Sequence, residues 1–172
     1  MPTLTAPTGD RQTRYGLLLF VCFAGTVGTA LFFEHVLGYM PCRLCLAQRV
    51  PYYAGLMLMA AATYGTGLRW PSWLLRVFFA ATGLLMLYGF AIAIFHAGVE
   101  WAFWPAPASC TAVGGAADTG GKGILDALDV IPPSCDKAPW RFLGLSFAGW
   151  NVPASLIFAI GALRAGLMRQ AD

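Results

Sequence analysis

Charge is what this sequence lacks. Asp, Glu, Lys and Arg make up only 11% of its 172 residues, while 58% are hydrophobic. Ordinary soluble domains carry more than twice that charged share. The deficit is concentrated. Residues 15–33, 50–68, 77–99 and 142–163 contain no charged side chain. Each gap spans about 19–23 residues, enough for a helix to cross a bilayer core of about 30 Å. A soluble core would not need four such runs. The expected fold is an all-α membrane protein, a four-transmembrane-helix bundle in a single domain. The expected spans are 15–33, 46–68, 72–96 and 145–168. A long loop covers 97–144, and short tails cover 1–14 and 169–172. The first run is too long for the core of a secretory signal and three more spans follow it, so it reads as a retained helix. The sequence shows no internal repeat and no low-complexity tract.

A second Cys-x-x-Cys is also missing. Of five cysteines, two stand in Pro41-Cys42-Arg43-Leu44-Cys45, between the first two apolar runs. Cys110 and Cys135 lie about 25 residues apart in a Gly-rich loop. That spacing suits loop closure by a disulfide better than a compact zinc or iron–sulfur knuckle, so no metal is expected. Cys22 lies inside the first helix and reads as packing, the alternative being a mid-membrane thiol near a cofactor.

Orientation follows from Lys and Arg in the short loops. Arg11, Arg14, Arg69, Arg76, Arg164 and Arg169 fall on one side; Arg43, Arg49, Lys122, Lys137 and Arg141 fall on the other. The bias puts both termini in the cytoplasm. Cys42, Cys45, Cys110 and Cys135 then face the oxidising side, in a bacterium the periplasm, where disulfides persist.

Along the chain, Glu34-His35 close the first helix as a polar interfacial pair. The second helix begins near Cys42, and Pro51 should kink it. Cys42, Cys45 and Arg49 are spaced i, i+3, i+7 and share a face. The helix N-terminus and the Arg49 cation are expected to favour a thiolate at Cys45. His96 and Glu100 share a face if the third helix continues that far, which makes them candidates for proton handling. Trp70 and Trp73 mark one interface; Trp101, Phe103 and Trp104 mark the other. Within the long loop, Ile124, Leu125, Leu128 and Ile131 oppose Asp126 and Asp129, as in a short amphipathic helix lying on the membrane.

Two chemistries remain. A Cys110–Cys135 disulfide could brace the loop, worth about 3 kcal/mol in the chain-entropy account. That leaves Cys42 and Cys45 unexplained, because their ring is too small to restrict an unfolded chain. A redox relay explains both pairs. The loop pair takes electrons from an outside dithiol and passes them to the fixed pair. A lipid-soluble quinone then accepts them, with Arg49 stabilising the negative charge.

The ordered set resembles the DsbB family of bacterial disulfide-bond formation proteins. It comprises Glu34-His35, Pro41-Cys42-Arg43-Leu44-Cys45, Gln48-Arg49, His96, Cys110, Cys135 and Trp140-Arg141-Phe142-Leu143-Gly144-Leu145. The likeness runs from about Tyr15 to Met168. It implies an inner-membrane thiol oxidase that reoxidises a periplasmic thioredoxin-fold protein, DsbA-like, and uses ubiquinone or menaquinone. Its partners are that protein and membrane lipid, with no nucleic acid. The resemblance implies that Cys110 joins the partner in a mixed disulfide. Cys135 pairs with Cys110 at rest and exchanges with Cys42, while Cys45 faces the quinone. Arg49 and His96 would line the quinone site, and Glu100, where the family's pattern has Gln, is a weaker candidate there. The rivals are a vitamin K epoxide reductase-like quinone reductase and a non-catalytic protein with loop-bracing disulfides. In the reductase type the loop cysteines precede the membrane dithiol; here they follow it.

Overall fold

A computed structural model describes residues 10–111 and 134–168. Its order is α1 (Asp10–His35), α2 (Arg43–Gly67), α3 (Ser72–Glu100), the short α4 (Ala108–Thr111), β1 (Arg141–Phe142), β2 (Leu145–Ser146) and α5 (Phe147–Leu167). The amphipathic segment expected at 124–131 lies outside the described residues.

Among the described residues, three helices, α1, α3 and α5, are long and apolar enough to cross a membrane. The expectation was four. α2 has 25 residues, about 37 Å of helix, but Tyr, Thr, Gly and Pro dilute its apolar content. It packs between α1 and α3, while α3 packs most extensively against α5. Four boundaries move outward from the expected spans: both ends of α1, the start of α2 and the end of α3. α1 starts at Asp10, an acid in its first turn, where the helix dipole favours it. α3 runs on to Glu100, so His96 and Glu100 do share a face.

The apolar surface is distributed as a membrane protein requires. Leu18, Met57, Tyr64, Leu84, Tyr88 and Ile157 all face outward, the reverse of a water-soluble surface. Inside, Phe23, Tyr52 and Phe158 pack ring on ring, with centroids 4.5–5.9 Å apart. Small residues let the helices approach. A Cβ on Gly55 would lie 2.7 Å from the Phe23 ring, and one on Gly83 would lie 2.6 Å from Leu163. Pro51 sits inside α2 and packs against Gly89.

At the outer end, β1 and β2 pair antiparallel, Arg141 with Ser146 and Phe142 with Leu145. Leu143 and Gly144 turn the hairpin with φ of 51° and 83°, the positive values that a tight two-residue turn needs. Trp140 stacks on Phe142 and Phe147, and Trp140 and Phe147 meet Phe33 of α1. Ser146 then caps α5, its hydroxyl accepting from the Gly149 amide at 3.0 Å.

Candidate active site

The first turn of α2 builds the dithiol. Cys42 is the N-cap residue, with extended backbone angles, and its sulfur accepts from the Cys45 amide at 3.2 Å. A sulfur here takes the place of the usual capping oxygen and meets the positive end of the helix dipole. The three-residue spacing brings Cys45 Sγ within 2.9 Å of Cys42 Sγ. Behind Cys42 stands His96, 2% exposed, with Nε2 3.6 Å from the sulfur.

These contacts split the two thiols. Cys42 is held far below the ordinary thiol range, first by the hydrogen bond with the Cys45 side chain. His96 and the Cys45 amide add to that effect, against the cost of burial. Cys45 is pushed up, first by the same bond, then by burial and by the charge on Cys42. The capping geometry and these directions favour the charged form at Cys42, whereas the expectation placed it at Cys45. Two features decide it. The capping position gives the free amide to Cys42, and the Arg49 guanidinium is engaged by Glu34 in an ion pair.

The second cysteine pair meets the first. Cys110 and Cys135 form a disulfide. Cys42, Val99 and Cys135 make one buried cluster, with Cys45 and Cys110 packed on it. Cys135 is 2% exposed, whereas Cys110 is partly open to solvent.

A cavity of about 630 Å³ opens on the other side of the dithiol, within the range of small-molecule sites. It lies between α1, α2 and α5 and is walled mainly by apolar side chains such as Phe33, Phe147 and Phe158. Cys45, Arg49, Tyr52 and Asn151 contribute its polar edge. Cys22 lines it too and is exposed there. That corrects the expectation that this thiol is packed in the core, since its face of α1 turns toward the cavity rather than toward Phe23.

The three residues expected at a quinone site separate. Arg49 lines the cavity; His96 and Glu100 do not. Both sit behind Cys42, on the far face of α2. Glu100 accepts a hydrogen bond from the Ser146 hydroxyl, tying the end of α3 to the start of α5. Its other oxygen is 3.9 Å from His96 Nε2. Glu34, read as a plain interfacial residue, is the partner of Arg49. His35 is exposed, as an interfacial residue would be.

Sequence reasoning passed over Asn151 and Tyr52, and took Gln48 only as part of the Gln48-Arg49 match. Gln48 lies 2.9 Å from His96 Nδ1, Asn151 donates to Gln48, and Tyr52 donates to Asn151. A signal existed. Asn151 is the one carboxamide in the run 142–163, and a polar side chain at membrane depth needs a partner.

Known proteins resemble this chain. The family model described as disulfide bond formation protein DsbB matches residues 12–165. Disulfide bond formation protein B of Aromatoleum aromaticum is 31% identical over 153 residues, covering 84% of this chain and 86% of that protein. The Marinobacter nauticus protein of the same name is 31% identical over 155 residues, with 86% and 87% covered. That of Pasteurella multocida is 34% identical over 146 residues, with 81% and 75% covered. No solved structure matches the chain. With its apolar helices and paired cysteines, this chain belongs to the DsbB family, whose membrane proteins act as oxidoreductases in disulfide bond formation.

Proposed function

We propose that this protein is an inner-membrane thiol oxidase. It reoxidises a periplasmic DsbA-like dithiol protein and passes two electrons, through its two cysteine pairs, to a membrane quinone. α2 serves as a fourth span, both termini are cytoplasmic, and the four paired cysteines face the periplasm. One observation carries the reading: Cys42 and Cys135 share a buried cluster while Cys45 stands at the edge of the cavity. Each pair then has one sulfur facing the other pair and one facing outward.

The exchange balances step by step. A partner thiolate attacks Cys110 Sγ, breaking the loop disulfide and releasing Cys135 as a thiolate. The partner's second thiol attacks the mixed disulfide, leaving the partner oxidised and Cys110 and Cys135 reduced. Cys135 attacks Cys42 of an oxidised Cys42–Cys45 pair, releasing Cys45. Cys110 then attacks Cys135, re-forming the loop disulfide and releasing Cys42 as a thiolate. A low-pKa thiol leaves faster, and Cys42 is the sulfur whose pKa the site depresses. The two electrons of the client now reside on Cys42 and Cys45.

A quinone fits the cavity beside Cys45. The walls are apolar, the volume suffices, and Arg49 offers a cation at the edge. When bound, it supplies the two-electron acceptor. Cys45 would face it and Arg49 would hold its oxygen, while the apolar wall keeps water out.

The test is quinone reduction by purified protein given a reduced Cys-x-x-Cys partner, comparing the native chain with Cys45→Ala and Cys110→Ala. Turnover lost in both variants supports the ordered relay. Full turnover in either variant, or none in the native chain across several quinones and partners, overturns it. Removing Cys135 should also let the free Cys110 thiol attack the disulfide of an oxidised partner and hold it as a mixed disulfide; a loop brace would trap nothing.

A further inference from the structure

A line of buried polar groups runs from the cavity wall to the histidine behind Cys42. Tyr52 Oη donates to Asn151 Oδ1 at 2.6 Å. Asn151 Nδ2 donates to Gln48 Oε1 at 2.9 Å. Gln48 Nε2 lies 2.9 Å from His96 Nδ1. A carboxamide has one accepting end and one donating end, so fixing one end fixes the other. The phenol donates to the oxygen of Asn151, and in this arrangement the Asn151 nitrogen faces Gln48. The oxygen of Gln48 accepts that bond, and its nitrogen must face the ring. An NH₂ group can only donate, so Nδ1 must accept. A neutral imidazole with an accepting Nδ1 carries its proton on Nε2. Nε2 is the atom 3.6 Å from Cys42 Sγ.

We propose that Tyr52, Asn151 and Gln48 are positioning residues that lock His96 in the Nε2–H tautomer, so that the ring presents an N–H donor to the Cys42 sulfur. The ring solvates the thiolate without surrendering its proton. The titratable groups that face it are Cys42 and Cys45 from the start of α2, and Glu100 from its own helix.

The lock has a second consequence. The ligand atoms of Cys42, Cys45 and His96 lie within 4.8 Å of one another, a two-sulfur, one-nitrogen set that suits a soft divalent ion. A metal needs the Nε2 lone pair, and in this tautomer that lone pair is replaced by a proton. Moving the proton to Nδ1 would set N–H against the NH₂ of Gln48. The amide chain thus keeps the reduced dithiol open for exchange instead of sequestered by a metal. The proposal stands on the Cys42–His96 geometry and assumes no quinone and no partner.

The experiment is ¹⁵N NMR of histidine-labelled, reduced full-length protein in detergent, for the native chain, Tyr52→Phe and Gln48→Glu. The chain has two histidines, and His35→Asn assigns the other. The native protein should show a protonated Nε2 and a bare Nδ1. Gln48→Glu places an acceptor at Nδ1 and should reverse the tautomer. Cadmium affinity of the reduced variant should rise about 10–100-fold, the usual scale for a carboxylate orienting a ligating histidine. Tyr52→Phe removes one oxygen, frees Asn151 to turn over, and should yield a mixture of tautomers. A native ring protonated on Nδ1 overturns the proposal outright. So does a Tyr52→Phe spectrum identical to the native one, which keeps the test decisive even where Gln48→Glu fails to fold. The tautomer is read without turnover, so its failure and the failure of the relay are told apart.

Discussion

Replacing His96 with Phe should raise the pH at which Cys42 becomes nucleophilic. Phe fills a comparable volume but offers no N–H. A hydrogen bond to a charged group is worth about 1.5–3 kcal/mol, and one pKa unit corresponds to about 1.36 kcal/mol. The midpoint of Cys42 alkylation should therefore move up by about 1–2 pH units. The sign is fixed by the direction of the native shift: His96 helps hold the thiol below its ordinary range, so losing it returns the thiol toward that range. Stability moves the same way. A depressed thiol adds stability to the reduced fold above its unfolded value of about 8.5, and that contribution is lost as pH falls through the folded value. His96→Phe narrows the window from its acid side. The assay is iodoacetamide labelling of reduced protein across pH, read on the peptide that contains Cys42. His96→Gln keeps an amide N–H and should recover most of the shift. An unmoved midpoint in His96→Phe, or Cys45 taking label before Cys42 in the native chain, would refute the assignment of the thiolate.

Ala154 lines the cavity, so Ala154→Phe should fill it and raise the KM for quinone at least about tenfold, while the pH profile of Cys42 labelling stays put; an unchanged KM would place the acceptor elsewhere. Gly83→Val forces a side chain into Leu163, whose atoms lie 2.6 Å from a Cβ built there, and overpacking of this kind costs about 1–3 kcal/mol. Thermal unfolding in detergent should show the loss, and an unaltered melting temperature would mean that α3 and α5 can separate freely. Glu34→Gln leaves the Arg49 cation without its carboxylate partner. At an effective dielectric constant of about 20, a carboxylate about 7 Å from an anion costs about 2 kcal/mol. An ionised hydroxynaphthoquinone should therefore bind more than about tenfold tighter in calorimetry, with a neutral naphthoquinone little changed; equal effects on both probes would remove Arg49 from ligand recognition.

The helices were legible because a bilayer asks for something that a sequence cannot hide: about twenty residues without charge. Three of the four runs meet that demand in the structure as well. α2 falls short because it carries chemistry. Gln48, Arg49, Pro51 and Tyr52 stand in its first turns, and each lowers the apolarity that a span is recognised by. The pairing of Cys110 with Cys135 was readable from spacing in a Gly-rich loop. The partition of charge between Cys42 and Cys45 was not. It depends on which sulfur becomes the helix cap, a difference of backbone angle at Cys42, and on Glu34 reaching Arg49 from another helix. His96 and Glu100 share a side of α3, as expected, but that side does not line the cavity. Periodicity shows that two residues share a side of α3; it does not say which neighbour that side meets. Only the packing of α3 against α2 and α5 decides that the side meets Cys42 and Ser146 and stays off the cavity.

In the proposed relay, the arrangement also sets a direction. In the last exchange Cys42 must leave as a thiolate, and the Cys45 thiol, the capping amide and the His96 ring favour that form against the cost of burial. Stabilising the leaving thiolate draws electrons out of the loop pair and onto the fixed pair. Cys45 has the opposite setting. Its proton is held tightly, and it stands at the wall of the cavity, where a two-electron acceptor must also gain protons. One turn of helix thus places the charged sulfur on the side that receives electrons and the protonated sulfur on the side that gives them up. Exchanging those environments, by moving the cap or the histidine, would leave both disulfides chemically possible but remove the difference that drives transfer between them. The spacing of two residues between the cysteines is what makes the asymmetry possible, because only a sulfur at the cap and a sulfur in the first turn can share one proton while facing two different partners.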